Sequence, residues 1–520
     1  MNIYFRVGLN KSTGLGHLLR ATRLAESFIK KKHNIIFFID HQINFPFENK
    51  KIVIKKLYQA NEQFDIVNDY KKFIKITKNN KGIVIVDDYR IKNNWLKKVK
   101  EFHHKIIIFD DHFRKLNFAD IIVNTKPNFL FDNIQTKYKE LNNESKLLLG
   151  PKYSLLSQNI KNNINKKFNV MFYMGGVEDV TVFFNTLDSI KKNHKNFFYK
   201  SKFYFVVPAI SKKKINILKL KKFQNVEFLI DQYDVLAKYN FMDLFIGSSG
   251  MSLYENTYSN TPSVFFEMSK NQKIDINAAE LLGHYFFLKK KYLYDSSKLS
   301  NFIFLIFKNY REVKNNLINS KLKIDNKGSD RIVNHVMNNN IVDKNLINMT
   351  ISKKQFLKRV NLSYVNKYLE SRNLKDNRLQ SIGKKKIDTL DHYIWWLSAN
   401  RISFVYKEED KPIIFSYFDI KYLNNNKFLL SGWFIADNVK KTSFLKFYKI
   451  ITDHVLNVEN FAKKNKCTPL SIINRSNKLM IILTERMGWN EVQDKIKLRN
   501  IKKLFKNKIK NNFKIYEKKI

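Results

Sequence analysis

A glycine turn near the amino terminus places the strongest constraint on how this chain folds. Residues 14–20, Gly-Leu-Gly-His-Leu-Leu-Arg, follow a short apolar strand at 3–7 and open a helical run of apolar residues. A strand, a glycine turn and a helix bring free backbone N–H groups to the helix start, where a ligand can approach closely. His17 lies on the first turn of that helix, and an imidazole changes charge near neutral pH. The sequence therefore predicts a ligand site here, with His17 as its reactive group.

Length and composition limit the class of protein. A chain of 520 residues has room for about three domains. No apolar run is long enough to span a bilayer, and the start lacks the basic and apolar regions of a signal peptide. The single cysteine, Cys467, excludes an internal disulfide and a multi-cysteine zinc site. We therefore expect a cytoplasmic protein without stable membrane insertion.

The formal net charge of +49 does not indicate a nucleic-acid-binding protein. Lysines are spread along the whole chain, and they accompany abundant Asn, Ile, Phe and Tyr, as expected from an AT-rich coding sequence. No helix-turn-helix, zinc-finger or RNA-binding signature is present. The positive field would instead steer an anionic substrate towards the protein.

Residues 1–150 alternate strand and helix patterns. Apolar runs at 35–39, 82–86, 105–109 and 121–123 are typical of parallel strands buried on both faces. Polar residues follow these strands, where open α/β sheets bind ligands: Asp87, Asp88, Tyr89, Asp110, Asp111 and Asn124. Each aspartate taken alone favours a helix-capping or turn role, whereas the set favours a rim that faces a ligand.

A second α/β domain is expected at 151–330, after a crossing at Leu147–Tyr153. Its first strand, 169–174, ends in Gly175-Gly176, and a later strand leads into Gly247-Ser248-Ser249-Gly250-Met251-Ser252. Free N–H groups and serines at such a turn suit a diphosphate. Glu255, one turn further on, can accept both hydroxyls of a ribose, or it can simply complement the helix dipole. Asn271 and Gln272 follow the next strand.

Residues 1 to about 330 resemble the UDP-sugar hydrolases of pseudaminic acid biosynthesis, relatives of the GT-B glycosyltransferases. The motifs that carry the resemblance keep their order and spacing. They are Arg6 with residues 14–20, Val86–Tyr89, Asp110-Asp111, Leu149–Tyr153, Gly175-Gly176, Ser249–Glu255 and Asn271-Gln272. Val7-Gly8 and Val177–Asp179 depart from the family pattern. The resemblance implies a GT-B-like pair of Rossmann-like domains and hydrolysis of UDP-2,4-diacetamido-2,4,6-trideoxy-β-L-altropyranose to the free sugar and UDP.

The resemblance also implies site residues. His17 orients or deprotonates the attacking water, the turn at Ser249-Gly250 holds the diphosphate, Glu255 holds the ribose, and Tyr89 and Asn271 line the sugar side. The remaining substrate-binding candidates are Arg6, Gly14, Gly16, Arg20, Gly176, Ser252 and Gln272. Neither a metal nor a cofactor is expected for this reaction. The product would feed a nonulosonic acid for surface glycans, so enzymes of the same pathway are further candidate partners.

Two rival functions stay open from the sequence. A GT-B glycosyltransferase would pass the sugar to an acceptor other than water, and a non-catalytic module would bind a nucleotide sugar without turnover. Release of UDP in the absence of an acceptor separates hydrolysis from both.

The last third of the chain follows a polar linker predicted at 331–350. Residues 351–520 form an α+β unit that resembles the GNAT family of N-acetyltransferases. The motifs are Arg372-Asn373, Arg378, Ser381, His392, Trp395-Trp396, and the late set Asn477, Leu483, Glu485, Arg486, Gly488 and Trp489. The resemblance implies acetyl-CoA binding, for which Lys440, Lys441 and Asn477 are the candidates, and acetylation of a 4-amino sugar just before the hydrolase step.

This unit departs from the GNAT pattern at two places. Residues 437–442 lack the glycines of the pyrophosphate turn, and Thr484 stands where the family has the tyrosine that acts as general acid. A degenerate domain retained for binding or assembly is the alternative. For the basic tail, 495–520, a solvated and partly packed helix is expected, and a membrane-surface helix is the alternative.

Overall fold

The computed structural model describes residues 1–8, 16–40, 51–59, 62–156, 167–174, 180–207, 223–230, 241–268, 275–337, 358–359, 361–399, 402–408, 411–423, 426–436, 444–505, 509 and 511–519. The chain divides into two compact units, Met1–Asn348 and Met349–Ile520. None of the described helices combines the length and apolar composition that a bilayer crossing requires.

The first unit contains two parallel sheets with helices packed against them. The first sheet has the order β3-β2-β1-β4-β5-β6-β7. Its strands are β1 (Asn2–Val7), β2 (Asn34–Ile39), β3 (Ile52–Lys56), β4 (Gly82–Asp87), β5 (Lys105–Phe109), β6 (Ile121–Asn124) and β7 (Lys146–Leu149). Its helices are α1 (Gly16–Lys30), α2 (Ile66–Thr77), α3 (Asn93–Lys100) and α4 (Asp132–Leu141). Strand β7 covers residues 147–149 of the segment in which the sequence indicated only a domain crossing.

The second sheet repeats the same strand order, β10-β9-β8-β11-β12-β13. The strands are β8 (Phe168–Tyr173), β9 (Ser201–Val207), β10 (Val226–Ile230), β11 (Leu244–Ser248), β12 (Ser263–Glu267) and β13 (Phe286–Lys289). The helices are α5 (Phe184–Asn193), α6 (Lys195–Lys200), α7 (Ser252–Tyr258), α8 (Ile276–Leu281), α9 (Ser296–Lys308), α10 (Tyr310–Ile318) and α11 (Gly328–Val336). Two sheets with the order 3-2-1-4-5-6 at their centres confirm the predicted pair of Rossmann-like domains.

The two domains share packing through α11. Ile332, Val333 and Val336 of this helix are buried in the apolar core that α1 forms on the first sheet. A side chain at Gly328 would meet the carbonyl oxygen of Ser154 at 2.1 Å, so the close approach requires glycine. Residues 331–336, expected as linker, therefore lie in a packed helix, because their apolar residues recur at helical spacing.

The second unit is built on a mixed sheet with the order β14-β15-β16-β17-β18-β20-β19. Its strands are β14 (Lys358–Arg359), β15 (Ile402–Glu408), β16 (Lys411–Leu423), β17 (Asn426–Ile435), β18 (Thr468–Asn474), β19 (Asn490–Glu491) and β20 (Phe513–Glu517). Its helices are α12 (Val365–Arg372), α13 (Lys375–Leu379), α14 (Thr389–Ser398), α15 (Phe444–Lys464), α16 (Lys478–Arg486) and α17 (Lys495–Leu504). The predicted third α+β domain is confirmed.

The basic tail is not one helix. Helix α17 covers its first part, and Phe513–Glu517 then forms β20, which pairs with β18 on one side and β19 on the other. Phe513 and Ile515 are buried in one apolar cluster and Tyr516, on the opposite face of the strand, is buried in another, so both faces of β20 are covered. Gly488 lies just after α16 with a φ of 78°, the left-handed conformation in which a glycine commonly ends a helix.

Candidate functional site

A histidine–carboxylate pair lies at the carboxyl edge of the first sheet. Strands β1 and β4 are neighbours, with Val7 opposite Asp87, so the helix after β1 starts beside the end of β4. The distance from His17 Nδ1 to Asp87 Oδ1 is 2.5 Å. With the tautomer that this contact requires, Nδ1–H donates to the carboxylate. Nε2 has no hydrogen-bond partner among the described residues, so it is available to accept a proton.

Arg20 binds Asp87, the same carboxylate that binds His17. Its Nε and Nη2 donate to the two oxygens of Asp87, each at 2.5 Å, and its Nη1 donates to Asp111 at 2.8 Å. Burial acts to raise the pKa of Asp87, but Arg20 and His17 favour the anion, and the pKa lies below its ordinary value. The pKa of Asp111 is lowered against the effect of burial by Arg20 and Tyr89. Both carboxylates are therefore charged at neutral pH.

Tyr89 fixes the histidine ring from the side. Its ring packs edge-on to His17 with centroids 4.6 Å apart, and to His112 with centroids 4.4 Å apart. Its hydroxyl donates to Asp111. Burial and then the charge of Asp111 raise the pKa of Tyr89 well above its ordinary value. Tyr89 therefore presents a neutral phenol beside His17, which fits its predicted place on the sugar side.

Asp88 and Asp110, the other two aspartates of the predicted rim, bind residues of the segments that follow β4 and β5. Asp88 binds Arg90 at 2.6 Å and lies 3.5 Å from Arg6. Asp110 accepts from the backbone N–H groups of His112 and Arg114 and from the hydroxyl of Tyr138. Asp88 and Asp110 therefore have the turn and capping role that the sequence offered for each single aspartate. Asp87 and Asp111 instead lie on the side of His17.

Arg6 does not reach a ligand surface. Its side chain is fully buried, with Nη2 at 2.6 Å from Asp69 and 2.7 Å from Asp40. Tyr58 and Trp95 also donate to Asp69. The expectation that Arg6 binds substrate is therefore corrected: its charge is balanced inside the domain by carboxylates that the sequence does not place beside it.

The serine turn of the second domain follows β11, where the sequence predicted it. A side chain at Gly247 would meet the carbonyl oxygen of Tyr173 at 1.8 Å, so this glycine allows β11 to lie close to β8. Ser249, Ser252 and Glu255 are all buried at the start of α7. The binding of a diphosphate by this turn stays a prediction.

Glu255 joins the two Rossmann-like domains. Its Oε1 lies 2.9 Å from Nη1 of Arg23, which also donates to the carbonyl oxygen of Leu155. The neighbouring Tyr254 donates its hydroxyl to the carbonyl oxygen of Thr125 at 2.8 Å. No motif in the sequence pointed to Arg23, although it lies one turn after Arg20 on the same helix. Binding of a ribose by Glu255 stays a prediction.

Gly16 is required neither by packing nor by backbone conformation. A side chain there would meet no atom within 4 Å in the described part of the molecule, and its φ is not positive. The remaining candidates of the first unit, Gly14, Gly176, Asn271 and Gln272, lie outside the described residues, as do Lys440 and Lys441 of the second unit. Gly250 lies between Ser249 and the start of α7.

The second unit has a cavity where two parallel strands separate. Strands β17 and β18 pair only from Phe428 to Leu430. Beyond that point, residues 430–435 and 471–474 line a cavity of about 500 Å³, together with Asn477 and Trp395. Asn377 of α13 bonds both backbone groups of Ile435, and Asn474 of β18 donates to Leu379 at the end of α13. Helix α13 therefore bridges the separated strands.

Two residues of the GNAT-like motifs, His392 and Asn477, form hydrogen bonds with the backbone of the second unit. His392 is buried and its Nε2 donates to the carbonyl oxygen of Val365 at 2.9 Å. Burial lowers the pKa of His392 to about 4, so it is neutral at pH 7. Asn477 caps α16 by accepting from the backbone N–H of Met480 at 3.3 Å. No cluster of three or more His, Cys, Asp or Glu side chains within the described ranges could hold a metal.

Comparison with known proteins gives distant similarities. No protein-family model matches the chain. An uncharacterized protein of Methanocaldococcus jannaschii is 25% identical over 277 residues, which are 50% of this chain and 54% of that protein. The chain thus spans about half the length of the curated relative that it matches.

Similar solved structures cover about two thirds of the chain. MnaA of S. aureus with UDP is 14% identical, with a TM-score of 0.43 over 64% of this chain and 95% of that one. Alr3699/HepE of Anabaena in complex with UDP and glucose is 12% identical, with a TM-score of 0.42 over 65% and 99%. MurG of Acinetobacter baumannii is 10% identical, with a TM-score of 0.42 over 65% and 99%.

Proposed function

We propose that the first unit hydrolyses a UDP-linked 2,4-diacetamido-2,4,6-trideoxy sugar to the free sugar and UDP, in the biosynthesis of pseudaminic acid. The observation that carries the proposal is the His17–Asp87 pair: Nδ1 is bound to a buried carboxylate and Nε2 has no described partner. This is the arrangement of a general base. The family resemblance supplies the substrate class.

The proposed reaction uses His17 as the base. A water molecule bound at Nε2 attacks the anomeric carbon, and its proton passes to Nε2. The bond between the anomeric carbon and the β-phosphate oxygen breaks, and the electron pair leaves with UDP. Asp87 stabilises the imidazolium that forms, and Arg20 keeps Asp87 ionised. Tyr89 holds the ring at the angle that directs Nε2 towards the sugar.

The serine turn of the second domain would hold the leaving nucleotide. Ser249, Gly250 and Ser252 offer hydroxyl and backbone N–H groups to the diphosphate, and Glu255 would accept from the ribose. Since Glu255 is bound to Arg23 in this structure, ribose binding would replace or share that contact. No described atom lies within 4 Å of the place that a Cβ at residue 16 would occupy. Gly16 would therefore let the substrate approach the start of α1.

Release of UDP from the diacetamido UDP-sugar without an added acceptor tests this proposal. Hydrolysis predicts stoichiometric UDP and free sugar. Turnover only after addition of an acceptor alcohol would favour a glycosyltransferase instead. Binding of UDP with no turnover under either condition would favour a nucleotide-sugar-binding module.

A second activity, transfer of an acetyl group to a sugar amine, is proposed for the GNAT-like unit. The observation that favours it is the cavity between the separated strands β17 and β18, which Asn477 lines. Thr484 is a helix residue outside that lining, so the proton of the thiol would come from water or another donor. Calorimetry of the full chain with acetyl-CoA tests this activity, and absence of binding at millimolar ligand would remove it in favour of a binding or assembly domain.

A further inference from the structure

We infer that Lys126 binds the diphosphate of the nucleotide and stabilises the negative charge on the departing β-phosphate. The inference rests on the proposed function, because it assigns one more residue to the same site. Lys126 lies two residues after β6, at the carboxyl edge that also carries His17, Asp87 and Asp111. No sequence motif pointed to it.

The ammonium group of Lys126 is a half-buried cation with no ion-pair partner among the described residues. Its Nζ makes no hydrogen bond and no ion pair within the described part of the chain, and it lies 5.8 Å from the centroid of the Phe113 ring. The backbone is fixed, since the N–H of Lys126 donates to Asn124 Oδ1 at 3.0 Å. Burial lowers the pKa of Lys126, while Asp111 and Asp110 act in the opposite direction. A lysine whose backbone is held in this way, and whose ammonium has no ion-pair partner among the described residues, is suited to an anionic ligand.

Lys126 also lies where the two Rossmann-like domains meet. The carbonyl oxygen of the preceding residue, Thr125, accepts from the hydroxyl of Tyr254 at 2.8 Å. Tyr254 follows Ser252 by two residues in α7, next to the serine turn assigned to the diphosphate.

The charges of the site explain why a second cation is needed. Asp87 and Asp111 contribute two negative charges, and Arg20, bound to both, contributes one positive charge. With the imidazolium that forms on His17, these groups balance one another and leave the negative charge of the departing diphosphate in excess. Lys126 cancels that excess at the junction, where it can contact a phosphate oxygen directly.

Calorimetry with UDP and with uridine isolates the diphosphate contact. Lys126→Met keeps the apolar stem of the side chain and removes its charge, and it is expected to weaken UDP binding about tenfold. Uridine affinity should not change, which also shows that the variant is folded. Lys126→Arg should retain most of the UDP affinity. Lys146→Met, at the exposed opposite end of β7, is the matched control and should bind UDP like the wild type.

The outcomes separate this inference from the hydrolase proposal. Unchanged UDP affinity in Lys126→Met, or equal wild-type affinities for UDP and uridine, would overturn the assignment of Lys126. A wild-type chain that releases no UDP from the sugar, yet loses UDP affinity specifically in Lys126→Met, would overturn hydrolysis and support the diphosphate contact.

Discussion

Adjacent side chains of this site have different roles, because successive residues of a strand point to opposite faces of the sheet. Asp87 faces α1 and binds His17 and Arg20, whereas Asp88 faces the opposite side and joins the buried group around Arg6. Arg6 and Val7 alternate in the same way on the neighbouring strand. The sequence motif around Asp87 therefore contains one residue of the site and one residue that supports the domain.

Replacement of Asp87 by Asn tests its role as the residue that positions His17. The amide can still accept from Nδ1–H, but it carries no charge to stabilise the imidazolium or to balance Arg20. We expect kcat to fall about 100-fold with little change in KM, because the loss is confined to the reacting step. Steady-state UDP release measures this split. An unchanged kcat would show that Asp87 does not act through His17.

At the scale of secondary-structure elements, the start of α1 offers a substitution that separates stability from ligand binding. Alanine at Gly16 meets no described atom within 4 Å, and it favours the helical conformation. We therefore expect Gly16→Ala to stabilise the fold by up to about 1 kcal/mol. The same methyl group should raise KM for the UDP-sugar, because the substrate has to approach this turn. Thermal unfolding and steady-state kinetics give the two readouts, and an unchanged KM would contradict a substrate beside Gly16.

Two buried histidines tie helix ends to the sheets and make stability depend on pH. The hydroxyl of Thr257 donates to the carbonyl oxygen of Leu253 and accepts from Nε2 of His284, and Thr77 and His103 form the same pair in the first domain. Burial lowers the pKa of His284 to about 3 and that of His103 to about 4, from an unfolded value near 6.5.

Between pH 4 and pH 6.5, the unfolded chain therefore binds more protons than the folded chain does. The free energy of unfolding consequently falls as the pH is lowered from 6.5 towards 4. One such histidine contributes a slope of about 1.4 kcal/mol per pH unit. The variant His284→Asn should show a smaller slope in urea unfolding followed at several pH values. Equal slopes for variant and wild type would show that His284 is not buried in its neutral form.

At the scale of the whole first unit, the buried Arg23–Glu255 pair connects the two Rossmann-like domains. Removal of one partner leaves a buried charge, so Arg23→Met or Glu255→Gln should each destabilise the unit by about 3 kcal/mol. The double variant should lose less than the sum of the single variants, since it buries neither charge. Urea unfolding of the four chains completes this cycle. Additive losses would mean that the two side chains do not interact in solution.

The sequence predicted most of this architecture and part of the site. Apolar runs located the central strands of both parallel sheets, because buried parallel strands have few polar residues. Strand β3 was missed, since Val53 and Ile54 are exposed on an edge strand and two lysines follow them. Arg6 was assigned to the substrate from the family resemblance, because its acidic partners, Asp40 and Asp69, are distant along the chain and only the fold brings them beside it. Lys126 had no motif, and only the fold brings it to the edge that holds His17.

The most direct test of the account is acceptor-free release of UDP from UDP-2,4-diacetamido-2,4,6-trideoxy-β-L-altropyranose by the wild type and by His17→Ala. The account predicts equimolar UDP and free sugar from the wild type. In His17→Ala, the rate of UDP release should be lower by at least about 100-fold, while the variant still binds UDP. Absence of release from the wild type, or equal release by both chains, would contradict a hydrolase in which His17 is the base.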